Sequence, residues 1–254
     1  MKNPIILLIL LALTQVASAS KTIHVYVALC DNKFQGIVPV PEKIGNGKDP
    51  DRNLYWGCGY GVRSFFKLKT QDWNLVATLK SENPKILERI VFKHATKDVY
   101  LLADAYDGEH IKSCVEDFLK ASNGQHDLAI KLDDKVLHFG GQADLLSYVG
   151  HDGLMDFEVD IQYNVTHSNY YKPVIILACY SKNYFSPHIR KANARPLLWT
   201  THLMAPEAYT LKAAIDGWLL NETPEQIEER AAQTYHQYQK CGIRGARNLF
   251  TTGF

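Results

Sequence analysis

The sequence predicts an α/β protein: a mainly parallel sheet flanked by helices, with additional β-hairpins. Three observations carry this. Residues 144–150 and 173–177 are short, nearly continuous apolar runs, the pattern of strands covered on both faces. Residues 23–29 and 98–105 are further strands, rich in β-branched and aromatic side chains. Segments with helical spacing fall among these strands, and parallel neighbours need such crossovers.

The elements follow in order. The first strand, 23–29, ends at Cys30-Asp31-Asn32. Residues 35–61 are rich in Gly, Pro, Asn and Asp and read as a long loop, which Tyr55, Trp56 and Tyr60 should keep ordered. A helix is expected over 62–67, then a hairpin from 73–80 and 89–94. The strand over 98–105 leads into a helix over 108–121, stopped near Asn123-Gly124. A second hairpin spans 126–139 with Asp133-Asp134 at its turn. The two apolar strands come next, then a short helix from Pro187 to Arg190 and a strand over 195–201. Two helices close the chain, over 207–219 and 224–240. Pro224 and Glu225 suit the first turn of the second.

The start of the chain reads as a secretory signal peptide. Lys2 precedes an aliphatic core over 5–13, and Ala17-Ser18-Ala19 is an A-x-A cleavage site. Residues 1–19 are therefore expected to be removed, leaving 20–254 as a single exported domain, periplasmic or extracellular. No integral membrane segment is expected after that cleavage, because no later apolar run is long enough to span a bilayer. Charge is nearly balanced, with 28 Lys and Arg against 27 Asp and Glu. That argues against nucleic acid or an anionic membrane as the main partner. Gly57-Cys58-Gly59-Tyr60-Gly61 follows turn formers rather than a strand, so it is a weak candidate for a dinucleotide loop. The sequences Asn164-Val165-Thr166 and Asn221-Glu222-Thr223 match the glycosylation acceptor pattern, which has meaning only in a eukaryotic source.

Chemistry concentrates at two strand ends. One apolar strand runs into His151-Asp152-Gly153, the next into Ala178-Cys179-Tyr180. In open α/β sheets, sites form at the carboxyl ends of parallel strands. A thiol is mostly protonated near neutral pH, and a neighbouring imidazole can take its proton. Cys179 as nucleophile and His151 as general acid/base follow from this placement. No cofactor is called for. There is no H-E-x-x-H or paired C-x-x-C; His151, Asp152 and Asp156 form the one acidic-histidine group that would suit a metal-dependent hydrolase. Five cysteines are an odd number. With Cys179 free, Cys30, Cys58, Cys114 and Cys241 allow two disulfides in three connectivities, or remain thiols. Cys114 lies on a helical apolar stripe with Ile111, Val115 and Phe118, which suits a buried thiol.

The two blocks resemble the caspase-like cysteine peptidase superfamily of caspases, legumains, gingipains and separases. There, a hydrophobic block ends in His-Gly, and a second ends in a small residue followed by Cys. The resemblance implies a caspase-like α/β sandwich, a Cys-His dyad and a peptide or protein substrate. In the family, the glycine after the histidine offers its N–H to the oxyanion. Here Asp152 intervenes, so Gly153, or the Asp152 N–H, is expected in that role. The family's substrate pocket implies contributions from Asp31 and Trp56 in the segment after the first strand. Leu177 stands two residues before the cysteine, where the family carries Gln or Glu, and Thr201 follows the next strand. Asp31 would favour a basic side chain; Asp156 and Asp160 are further candidates or ordinary solvated carboxylates. The alternative on the same fold is a catalytically inactive exported binding module that holds a ligand with the loop over 35–61.

Overall fold

The computed structural model describes residues 20–164 and 171–254. The expected signal peptide and Val165 and Thr166 of the first acceptor pattern lie outside the described residues. The chain is α/β, as its patterning predicts. Its strands are β1 (Lys21–Ala28), β2 (Trp73–Leu79), β3 (Ile86–His94), β4 (Val99–Tyr106), β5 (Asp127–Leu132), β6 (Lys135–Gly140), β7 (Leu145–Val149), β8 (Lys172–Leu177), β9 (Ala194–Thr200) and β10 (Phe250–Thr251). Its α-helices are α1 (Val62–Leu68), α2 (Ile111–Ser122), α3 (Ser181–Lys191), α4 (Ala208–Leu219), α5 (Pro224–Gln239) and α6 (Ile243–Leu249).

Eight strands form one sheet in the order β10-β9-β8-β7-β1-β4-β3-β2, and β5 and β6 form a separate hairpin. From β9 to β4 the pairing is parallel; β10 at one edge and β3 and β2 at the other are antiparallel. The central strands read as continuous apolar runs because helices cover both faces. On one face, α1, α4, α5 and α6 pack Phe65, Tyr209, Ile227 and Leu249 against Val25, Val27 and Ile175. On the other, α2 and α3 pack Phe118 and Phe185 against Tyr26, Tyr148 and Ile176. Each such side chain stabilises the fold by about 1.5–3 kcal/mol. The β5–β6 hairpin lays Ile130, Leu137 and Phe139 on Val91 and Leu102.

Local signals set some element ends. Thr223 and Gln226 form a reciprocal capping box at the start of α5, with Pro224 in the first turn. Asp107 accepts the Glu109 N–H at the entry to α2. Two expectations need correction. The helix after the cysteine starts at Ser181, not Pro187; the proline lies inside α3. The short α6 and β10 also follow the last helix read from the sequence, and β10 pairs with β9.

A buried ionic group ties β1, β3 and β4 to the hairpin. Arg89 Nε and Nη2 donate to the two oxygens of Asp104 at 2.6 and 2.7 Å. His24 Nε2 contacts Asp104 Oδ2 at 3.1 Å, and the Gly140 N–H donates to His24 Nδ1 at 3.1 Å. Because Nδ1 accepts, the ring is the neutral tautomer that donates through Nε2. Burial alone would push the Asp104 carboxyl up, but the hydrogen bonds from Arg89 and His24 hold it below its ordinary range. Burial pushes His24 down, against the pull of Asp104.

All five cysteines are free thiols. The two disulfides that the cysteine count allows are not formed. Cys30 and Cys114 are enclosed in the cores on opposite faces of the sheet, and Cys241 is exposed. Among the described residues no helix is long and apolar enough to cross a membrane.

Candidate active site

After β1 the chain builds β4 on one side of that strand and later crosses to place β7 on the other. The crevice beyond the carboxyl ends of β1 and β7 is therefore the topological switch point, where α/β sheets bind ligands. The segments after β1, β7, β8 and β9 converge near it.

Register aligns the two candidate residues on neighbouring strands. β7 and β8 are parallel, with Val149 opposite Leu177, and the Gly150 N–H donates to the Leu177 carbonyl at 3.2 Å. His151 and Cys179 each stand two residues past that pair. Gly150 is needed where it stands: a Cβ there would press on Ala28 O at 2.9 Å and Ala28 Cβ at 3.0 Å.

His151 is buried, held at its backbone carbonyl and at its ring. The Tyr148 hydroxyl donates to the His151 carbonyl at 2.7 Å. His151 Nε2 contacts Asp156 Oδ2 at 2.8 Å, and the Gly36 N–H donates to the same oxygen at 2.9 Å. A Cβ on Gly36 would sit 2.3 Å from Asp156 Oδ1, so a side chain there would displace the carboxylate. Asp156 is thus the orienting residue that the sequence reading did not assign. The intervening Gly153–Met155 3-10 turn places it, with Gly153 O accepting the N–H groups of Asp156 and Phe157. With Nε2 turned to Asp156, Nδ1 is the nitrogen left for a thiol.

The thiol sits in a braced turn. Tyr180, next to Cys179, has φ +50°, in the left-handed region that non-glycine residues seldom adopt. Its N–H donates to His202 O at 3.0 Å. Ser181 Oγ donates to Ile176 O at 3.0 Å, the Ser181 N–H donates to Thr200 Oγ1 at 3.2 Å, and Thr200 Oγ1 also donates to Ala178 O. The sharp strand-to-helix turn leaves Cys179 half-buried at its apex. Its sulfur accepts the Met204 N–H at 3.4 Å and faces Met204 O at 3.6 Å. Burial pushes the thiol up, and the charge of Asp152 pushes it further, so the sulfur is protonated at neutral pH without a base.

The expected pocket residues are placed differently from one another. Asp31 is buried, and its two oxygens accept the N–H groups of Lys33, Phe34 and Gly47, which fixes the loop after β1. Trp56 is fully buried and donates through Nε1 to Glu88 at 2.7 Å. Leu177 is fully buried in the core. Thr201 is half-buried; its hydroxyl donates to Asn248 O at 2.7 Å. Asp160 pairs weakly with Gln162 at 3.4 Å. Among the described residues no group of three or more His, Cys, Asp or Glu side chains is arranged to hold a metal ion. Compared with known protein families, with curated proteins and with solved structures, the chain matches none.

Proposed function

We propose that the chain is an exported cysteine-dependent hydrolase of caspase-like type, most readily a peptidase, in which Cys179 and His151 are the reacting pair. One observation carries the reading: His151 and Cys179 occupy equivalent positions past paired parallel strands at the switch point of the sheet. Asp156 on Nε2 adds an oriented imidazole. In the proposed reaction the Cys179 S–H proton passes to His151 Nδ1 as sulfur attacks the scissile carbonyl. The N–H groups at Asp152, Gly153 and Cys179 are the candidate donors for the oxyanion. The imidazolium returns the proton to the leaving amine, and water then hydrolyses the thioester.

A short pulse of iodoacetamide near neutral pH tests the pair directly. Exposure alone ranks Cys241 first and the half-buried Cys58 and Cys179 behind it. Activation by His151 reverses that order, with Cys179 alkylated fastest when peptides are quantified by mass spectrometry. Labelling led by Cys241 would sink the reading. It would favour the binding module, which draws support from the double engagement of the sulfur by Met204.

The orienting carboxylate makes a second prediction. Asp156→Asn should lower kcat by about a hundredfold, within the range that positioned acid–base groups supply, and leave KM little changed. The check is steady-state kinetics on an amide substrate. An unchanged kcat would mean that the His151–Asp156 contact has no part in proton transfer.

A further inference from the structure

The β2–β3 turn and the first residues of β5 enclose a groove of about 430 Å³ that the dyad does not use. It lies beside β3, three strands along the sheet from β7. Its volume suits a small molecule. Leu79, Ile86, Leu128 and Ile130 give it an apolar lining. Arg89 lines it too, although that residue keeps only 9% of its surface exposed. A guanidinium carries five N–H donors in one plane. Asp104 takes the Nε–Nη2 edge, which leaves the two parallel N–H groups of the Nη1–Nη2 edge. Among the described residues Nη1 has no hydrogen-bond partner, yet it is not sealed from solvent as the partnerless Tyr26 hydroxyl is. The open edge of the guanidinium therefore reaches the groove. His126 lines the same groove, with Nδ1 3.3 Å from Asp117 Oδ1 and Nε2 without a partner among the described residues. The Tyr106 hydroxyl donates to the other Asp117 oxygen at 3.0 Å and steadies that carboxylate.

We propose that this groove binds the carboxylate of a small organic acid on Arg89, with the apolar body of the acid lying on Leu79, Leu128 and Ile130. Two parallel N–H groups match the two oxygens of a carboxylate. His126 offers Nε2 as a further donor. Charge sets the valence. Asp104 already offsets the guanidinium, and Glu82 and Asp127 line the groove as well as Lys80. A dianion such as phosphate meets more repulsion there than a monoanion does. The aliphatic side chains then stabilise a hydrocarbon body, which inorganic anions lack. The site stands apart from the Cys179–His151 reading and does not depend on it.

Octanoate and its neutral counterpart octanamide are the probes. Calorimetric titration of the wild-type protein near neutral pH should show one saturable octanoate site with a Kd of about 0.1–1 mM, a range open to a ligand of that size. Octanamide should bind about tenfold more weakly, because it lacks the charge that strengthens hydrogen bonds from Arg89. Ala129→Glu, at an exposed lining position on β5, adds a carboxylate to the groove and spares the Arg89–Asp104 pair. It should weaken octanoate by about tenfold or more through like-charge repulsion, with an unchanged thermal melt. Arg89→Lys keeps the charge but loses the fork, and should erase the preference for acid over amide. If that variant does not fold, Ala129→Glu and the acid-to-amide ratio carry the test. Equal affinity for octanoate and octanamide, or octanoate binding untouched by Ala129→Glu, overturns the site. So does the absence of saturable binding, or displacement of octanoate by inorganic phosphate at equal concentration.

Discussion

Cys179→Ala should abolish amide or peptide hydrolysis, a loss of about a thousandfold or more, and His151→Ala should cost nearly as much. The pair acts as a unit, so the double variant should be no worse than either single one. Without the imidazole the thiol is held up by burial and by Asp152, and the nucleophile is not formed. Without the thiol the imidazole has nothing to activate. The fold should survive Cys179→Ala, since what is lost is one small group and its contact with Met204. A hydrogen bond of that kind contributes about 1 kcal/mol. Turnover on a panel of peptide substrates, with a thermal melt of each variant, measures both effects. Wild-type turnover by a folded Cys179→Ala protein would remove the proposed mechanism and bring forward a water-activating one.

The largest loss of stability should come from the far side of β1. Asp104→Ala is expected to destabilise the protein by about 3–5 kcal/mol, the range for removing one partner of a buried ion pair. Asp104 has no solvent exposure, and Arg89 and His24 both direct donors at it. Its loss strands a guanidinium and an imidazole N–H in the interior. Urea unfolding of the variant and the wild type gives the difference; a value under about 1 kcal/mol would show that the group is not needed for stability. The same group predicts acid sensitivity. His24 and Asp104 both have folded-state pKa values below their unfolded ones. The unfolded chain binds those protons first, so their contribution is complete above about pH 6.5 and falls as pH drops, first through His24 and then through Asp104.

Much of this architecture was legible in the sequence because burial on both faces writes itself as uninterrupted apolar residues. The apolar runs over 144–150 and 173–177 hold β7 and β8 for that reason, and the turn residues Asn123-Gly124 and Asp133-Asp134 fell where elements end. What the sequence hid depends on partners distant along the chain. Arg89 and Asp104 meet because β3 and β4 pair in one particular register, and neither residue announces this locally. Asp156 reaches His151 only after a 3-10 turn whose path no periodicity encodes. Pro187 misled in a specific way: proline favours a first helical turn, yet here α3 begins six residues earlier, at Ser181, just after the left-handed Tyr180. Polar α6 and two-residue β10 are too short to show a period. Trp56 and Leu177 show that the loop after β1 and the strand before Cys179 contribute packing, where the resemblance suggested a pocket.

Sheet register has one more consequence, which concerns motion. His151 and Cys179 hang from neighbouring strands joined by a ladder hydrogen bond, so no hinge separates them and no domain closure can assemble or dismantle the pair. Under the proposed mechanism, any rearrangement during turnover would belong to the peptide laid over the sheet ends, on the microsecond-to-millisecond scale of loops. Two segments qualify, and each grips a different partner: Gly36 touches the carboxylate on the imidazole, and Met204 touches the sulfur. Under the proposed mechanism, a molecule that captures the first segment would retune proton transfer, and one that captures the second would cover or release the sulfur. On that reading the two contacts are open to separate control, through segments that are far apart in sequence.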